Sequence, residues 1–156
     1  MFLVRPATLD DIDVIAAHRR AMFVDMGYRD AVLLDAMIAE FRPWLRRKMT
    51  AQEYVAWLAA GSDQAIVAGL GLWLMDWPPH VIGPGSRRGN ILNVYTEPAR
   101  RRQGIARSLM NTALEWCRTH GIRSVILHAS PDGRSLYSQL GFQPTNEMRL
   151  LVDPPL

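Results

Sequence analysis

Several things are scarce or missing in this sequence, and each shortage excludes something. Cys117 is the only cysteine, so no disulfide can close within the chain. It lies in an apolar helical pattern and reads as a small core residue. No apolar run reaches the ~18 residues that a membrane-spanning helix needs. The opening MFLVRPATLDD lacks the basic and long apolar regions of a secretion signal. A cytoplasmic location with no membrane partner is the expectation. There is no internal repeat and no low-complexity linker, and 156 residues suit one domain, residues 1–156, with a sizeable core. His80 and His128 stand too far apart in sequence to give a metal-ligand pattern, so no metal is expected.

Charge of one sign is also scarce. The net charge is +3, with 21% charged residues, an ordinary globular figure. Lys48 is the sole lysine, and every other basic side chain is arginine. The basic residues form three local groups: Arg46 to Lys48, Arg87 with Arg88, and Arg100 to Arg102. A nucleic-acid binder shows a longer basic stripe, so no nucleic-acid partner is expected. A Walker loop is missing, since Lys48 sits in no GxxxxGK[ST] pattern. A dinucleotide fingerprint is missing too: Gly69-Leu70-Gly71 starts one, but Leu74 occupies the third glycine position.

What remains is a clear alternation of elements. FLVRPAT reads as a strand, and Thr8 with Asp11 as a capping signature for the helix that follows. Ile12, Ile15, Ala16, Met22 and Phe23 keep helical spacing up to Gly27. A second helix is expected from about Ala31 to Lys48, broken or kinked at Pro43, with an apolar face of Leu33, Leu34, Met37, Ile38 and Phe41. EYVAWLAA and AIVAGLGLWLM, joined at GSDQ, read as a hairpin; EYVAWLAA also fits the end of the preceding helix. A Pro- and Gly-rich loop, DWPPHVIGPGSRRG, comes next, and long loops in compact domains are often functional. NILNVYTEP is a strand ended by Pro98. Ile105, Ala106, Leu109, Met110, Ala113, Leu114 and Cys117 describe an amphipathic helix closed by Gly121. SVILHAS is a strand, GRSLYSQL a short helix, and NEMRLLV a last strand. The fold class is α/β, with a mixed antiparallel and parallel central sheet flanked by helices.

One stretch stands out chemically: RRRQGIA, residues 100 to 106, where arginines and a glycine meet the start of a helix. A helix N-terminus offers unpaired N–H groups and partial positive charge. Gly104 has no Cβ to keep a ligand away, and Ala106 keeps the next turn small. Strand, basic turn, glycine and helix together make an anion site, suited to a diphosphate.

Those residues resemble a known family. Arg101-Arg102-Gln103-Gly104-Ile105-Ala106 matches the [RQ]xxGx[GA] signature of GCN5-related N-acetyltransferases, placed after a strand and opening a helix. SVILHASPDGRSLYSQLGF resembles the family's second motif, with Tyr137 four residues before Gly141-Phe142. The order of elements matches along nearly the whole chain, and the second half matches best. The resemblance implies acetyl-CoA or another acyl-CoA as donor co-substrate. It places Val94, Tyr95 and Thr96 along the pantetheine arm, with the backbone of Val94 and Thr96 pairing it like an added strand. The amides of Arg101 to Ala106, including Gln103, Gly104 and Ile105, would hold the pyrophosphate, with Arg102 and Arg107 as side-chain partners. Tyr137 would protonate or stabilise the departing thiolate, and backbone N–H groups of residues 94 to 96 would polarise the thioester carbonyl. Transfer would go directly to a primary amine of a small molecule, peptide or protein.

Two positions depart from the pattern. Some relatives carry a carboxylate base early in the strand before the signature; Asn90 stands there and cannot take a proton. Glu97, Asp76, His80 or water would then serve. Ser130 stands where many relatives have asparagine, and keeps a hydroxyl for the pantetheine. The acceptor region implied is the first two helices and the loop at 76–89, with Tyr28, Asp30, Asp35, Glu40, Asp76 and His80. Trp73 and Trp77 either pack or line that region. A non-catalytic acyl-CoA sensor is the alternative that Asn90 keeps open. A nucleic-acid binder using the arginine clusters is a third reading. Homodimers, common among the proteins it resembles, are compatible with the chain.

Overall fold

In the computed structural model, residues 1–82 and 85–152 are described. Strand β1 (Phe2–Pro6) leads into helix α1 (Ile12–Asp25) and helix α2 (Ala31–Thr50). Strands β2 (Tyr54–Gly61), β3 (Ile66–Asp76) and β4 (Arg87–Thr96) follow, then helix α3 (Ile105–Thr119), strand β5 (Val125–Leu127) and helix α4 (Arg134–Gln139). The five strands lie side by side in sequence order. All neighbours run antiparallel except β4 and β5, which are parallel. The helix α3 crossover is what a parallel pair requires.

The sheet is covered on both faces, which explains its composition. Trp57 and Ala59 of β2 join Leu70, Leu72, Ile91 and the α3 residues Ile105, Leu109, Met110, Ala113 and Cys117 in one core cluster. Tyr54, Ala56 and Leu58, alternating with them, join Ile12, Ile15, Ala16, Phe41 and Leu45 of α1 and α2 in a second. A strand buried on both faces reads as continuous apolar sequence rather than as alternation. That is why YVAWLAAG also fits the end of a helix on paper; it is a strand, as the hairpin reading has it. Cys117 is buried, as read from its pattern, and burial pushes its thiol up to about 11.

The ends of the first helices are tied locally. Arg5 holds both carboxylate oxygens of Asp11, at 2.8 and 2.7 Å, and the Thr8 N–H donates to Asp11 at 2.8 Å. The Arg5 hydrogen bond, more than any other contact, lowers the Asp11 carboxyl to about 2. Asp30 caps α2 by accepting from the N–H groups of Val32 and Leu33 at 2.9 and 3.1 Å.

Four expectations are corrected. Helix α2 does not break at Pro43 but continues to Thr50. The apolar residues Phe41 and Leu45, buried on either side of the proline, hold one face against the sheet and offset the roughly 3 kcal/mol cost of an interior proline. Leu33 faces solvent instead, 68% exposed, while Leu34 is buried. The long loop is shorter than read, because β3 runs to Asp76 and β4 starts at Arg87, with Asp76 opposite Arg87. Within that loop, Gly83 and Pro84 lie outside the described residues. Finally, NEMRLLV forms no strand among the described residues. Strand β5, the edge it would join, is only three residues long.

Candidate active site

Strands β4 and β5 pair over only three positions, Gly89 with Val125, Asn90 with Ile126 and Ile91 with Leu127. Among the described residues, the edge of β4 that faces away from β3 has no strand partner from Leu92 to Thr96. The same segment carries a bulge. Gly69 pairs Tyr95 and Gly71 pairs Leu92, so β4 spends three steps where β3 spends two. Asn93, inside the bulge, has a left-handed backbone with φ +55°.

The bulge decides which groups face the open edge. The Gly89 N–H donates to Ser124 on the β5 side, whereas the Glu97 N–H donates to Val67 on the β3 side. Both numbers are odd, so a regular strand would aim both the same way. The extra residue reverses the alternation. Beyond it, the N–H and C=O groups of Val94 and Thr96 are turned to the open edge.

The basic turn lies at the end of this edge. The Arg101 N–H is used by Pro98, at 3.3 Å. From Arg102 to Arg107, six successive N–H groups have no acceptor among the described residues. The first helical bond of α3 comes only at Ser108, to the Gly104 carbonyl. Arg102 and Gly104 both have left-handed backbones, φ +62° and +79°, and fold these N–H groups into a nest. A Cβ on Gly104 would meet nothing within 4 Å, so open space lies beside it. Arg102 is exposed. Arg101 is not free: it pairs with Asp25 at the end of α1, and its Nε donates to the Thr96 carbonyl at 2.9 Å. It also lies 5.9 Å from the Tyr95 ring centroid, so it ties turn, strand and α1 together. Gln103 reaches the Ala99 carbonyl at 3.4 Å, within the turn.

Helix α4 flanks the other side of the gap. Its Tyr137 is half-buried, packed on the α3-side core that also holds Val94 and Leu127, with Phe142 edge-on at 6.1 Å. Burial raises the Tyr137 hydroxyl above its ordinary value. The ring lies over Gly133, where a Cβ would come within 2.7 Å of it. Ser130 begins the turn into α4, its Oγ accepting from the Gly133 N–H at 3.2 Å. Arg107 bridges α3 and α4 through the Gln139 side chain.

The acceptor-side candidates are scattered. Asp30 is the α2 cap, and Asp35 pairs with Arg20 at 2.9 Å. Glu40 and Asp76 are exposed, and Tyr28 is exposed beside the Phe23 ring. His80, in the loop, is exposed, and its Nδ1 accepts from the Ile82 N–H at 3.2 Å. Glu97 is at the far end of β4 from Asn90, about 20 Å away by strand rise. Asn90 is opposite Trp73, and its Oδ1 is buried without a partner among the described residues. Trp73 packs with Trp44 on the α2 side, and Trp77 lies under Arg88 at 4.3 Å. Among the described residues, no group of three His, Cys, Asp or Glu side chains is placed to hold a metal ion.

Sequence reasoning missed a polar cluster beneath the bulge. Asn93 and His18 are both buried, at 4% and 7% exposure. With Tyr54, Gly69 and Gly71 they line a cavity of about 10 Å³, the size of one water. The available signal was Gly69-Leu70-Gly71, which has a packing reason. A Cβ at Gly71 would fall 1.7 Å from the Tyr54 hydroxyl, and one at Gly69 would fall 3.2 Å from His18 Nδ1.

A mixed sheet whose β4 and β5 part after three paired positions, with a nest of N–H groups at the end of that open edge, is an arrangement of the acetyltransferase-like class. Comparison with known proteins places the chain within that class. The family model described as "Acetyltransferase (GNAT) family" matches residues 14–142, and the chain belongs to this family of acetyltransferases. A GCN5-related N-acetyltransferase from Ralstonia eutropha is 38% identical, with 97% of this chain and 99% of that one covered, at a TM-score of 0.90. A predicted acetyltransferase from Clostridium acetobutylicum, crystallised with acetyl-CoA, is 29% identical over 97% and 96%, at 0.87. Glucosamine-6-phosphate N-acetyltransferase from Arabidopsis thaliana, at 16% identity, 98% and 99% coverage and 0.65, shares the fold. No curated protein matches the sequence.

Proposed function

We propose that this acetyltransferase moves an acetyl group from acetyl-CoA directly to a primary amine of a small molecule, peptide or protein. One observation carries the reading: six N–H groups, Arg102 to Arg107, without acceptors among the described residues, lie at the end of an open strand edge. A pyrophosphate needs such donors, and a pantetheine amide needs such an edge. Acetyl-CoA, when bound, supplies the acetyl thioester. The residues fit it as follows. Val94 and Thr96 offer backbone groups to the pantetheine arm, with Tyr95 fixing the strand from the α1 side. Gln103, Gly104, Ile105 and Ala106 offer N–H groups to the phosphates, and Arg102 adds an exposed guanidinium. Arg107 reaches the same region by leaving Gln139. Arg101 positions the turn. The Ser130 hydroxyl keeps its proton free to donate, since its oxygen is the group already used.

Tyr137 is the proton donor of choice for a departing thiolate, because burial keeps its hydroxyl protonated. Removal of the amine's proton falls to water or to Glu97, Asp76 or His80, since Asn90 cannot accept one. The unpartnered Asn90 Oδ1 suits a hydrogen bond from the incoming ammonium or amine. The same asparagine also favours a second reading, a non-catalytic acyl-CoA sensor. A cytoplasmic location and a homodimer complete the proposal. For the dimer, support comes from the outer edge of β5 and from Met148, Leu150 and Leu151, each more than 80% exposed; light scattering tests it.

The first experiment is a thermal shift with acetyl-CoA, CoA, ATP and NAD side by side. A ligand that binds only the folded state adds about 2.7 kcal/mol at a hundredfold excess over its Kd. Both CoA species should raise Tm and the others should not; an equal shift with every polyanion sinks the proposal. Thiol release with a panel of primary amines then separates the enzyme from the sensor.

A further inference from the structure

The bulge that turns Val94 and Thr96 outward is held by side chains of α1, β2 and β4 that meet beneath it. Asn93 takes a left-handed backbone, φ +55°, which is uncommon for any residue with a Cβ. Its buried amide is gripped at both ends. Nδ2 donates to the Tyr54 hydroxyl at 2.8 Å, and Oδ1 accepts from Arg19 Nη1 at 2.7 Å. Tyr54 comes from β2, beyond β3, and its hydroxyl passes over β3 through the space left at Gly71. Arg19 comes from α1 and is laid against the Phe23 and Phe41 rings, 5.0 and 4.7 Å from their centroids. Among the described residues it forms no ion pair, and its Nε is buried without a partner. A half-buried guanidinium normally finds a carboxylate. This one is committed to a neutral amide.

We infer that Asn93 is a positioning residue for acetyl transfer, and that Arg19 and Tyr54 act through it. The clamp keeps the extra residue of β4 at position 93. Were β4 to pair β3 without the bulge, the alternation would continue unbroken, and the N–H groups of Val94 and Thr96 would turn toward β3. The open edge would then present the wrong backbone groups. The inference rests on the acetyltransferase reading, because it assigns the clamp to the strand edge used by that reaction.

The test compares Asn93→Ala, Asn93→Gly and Tyr54→Phe with the wild type, at a temperature where circular dichroism shows each folded. Two quantities are read: the Kd of acetyl-CoA by calorimetry, and thiol release from acetyl-CoA with a fixed panel of primary amines. Asn93→Ala should lower kcat/KM for acetyl-CoA by roughly tenfold to a hundredfold, the scale of ångström misplacement in a reacting site. Glycine adopts the left-handed backbone freely but has no amide for Arg19 and Tyr54 to grip, so Asn93→Gly should fall between Asn93→Ala and wild type, about fivefold or more below wild type. Tyr54→Phe removes one hydroxyl and leaves the backbone alone; it should raise the KM for acetyl-CoA by about threefold to tenfold. A purely structural role predicts lower Tm with unchanged Kd, kcat and KM per folded molecule, and that result overturns the inference. So does an Asn93→Gly variant that binds and turns over as well as wild type, since the amide contacts to Arg19 and Tyr54 would then be idle. If Asn93→Ala does not fold, Tyr54→Phe decides alone. If wild type binds neither acetyl-CoA nor CoA, the acetyltransferase reading has failed and the inference falls with it. If wild type binds and the variants bind and turn over equally well, only the inference has failed.

Discussion

At the scale of single residues, the site separates groups that hold a proton from groups that shape the backbone. Tyr137 is of the first kind. A phenol with its pKa raised by burial stays protonated at neutral pH, so in the proposed transfer it would serve as an acid and not as a base. Tyr137→Phe should lower kcat by about a hundredfold, the lower end of what a positioned proton donor supplies. The Kd of acetyl-CoA should stay within about twofold, since the ring and its packing remain. An unchanged kcat would reduce Tyr137 to a packed aromatic. Gly104 is of the second kind. In the free protein its substitution by alanine costs only backbone strain, about 1–2 kcal/mol for a left-handed L-residue, because no atom lies near its missing Cβ. A ligand lying on the nest would meet that methyl. Gly104→Ala should therefore weaken acetyl-CoA more than tenfold while Tm falls by only a few degrees. Equal weakening of both would place the phosphates elsewhere.

At the scale of elements, the pattern that was easiest to read belongs to α3, whose buried Ile105, Leu109, Met110, Ala113 and Cys117 repeat at helical spacing against one face of the sheet. Strand β4 and the turn after it were legible because Pro98, the arginines and Gly104 punctuate them. Their bulge was not, since Leu92 and Asn93 look like ordinary strand residues and only the pairing with β3 counts the extra one. Nor was the Arg19, Tyr54 and Asn93 clamp, whose members are far apart in the chain and meet only across the sheet. Position 43 went the other way: proline reads as a break, and tertiary packing carries α2 through it. The cap of that helix gives a clean measurement. Asp30→Ala removes both N–H contacts at the start of α2 and should cost about 1 kcal/mol in urea unfolding. Asp30 was one of the acidic residues read as a possible amine contact. As a cap alone, its loss should leave kcat and KM for any acceptor unchanged at a temperature where the variant is folded, and a raised KM for amines would restore it to the acceptor site.

At the scale of the whole molecule, one buried group ties stability to pH. His18 is on the α1 face of the sheet, 7% exposed, tilted against the Tyr95 ring at 5.0 Å and with Nδ1 unpartnered among the described residues. Burial pulls it down to about 4, against an ordinary 6.5. The unfolded chain therefore binds a proton between these two values and the folded one does not. Stability should be full above about pH 6.5 and fall as the pH drops toward 4, by up to about 3 kcal/mol. Asp11 titrates in a separate window. Its folded value is about 2 against an ordinary 3.8, so its contribution is lost only below about pH 4. Urea unfolding of wild type and His18→Asn at pH 7.5, 5.5 and 4.5 separates the two. The wild-type midpoint should fall steadily across that range and the variant's should stay nearly level. Parallel slopes in the two proteins would mean that His18 takes up its proton in the folded state, with a solvent path to Nδ1 through the small cavity beneath the bulge.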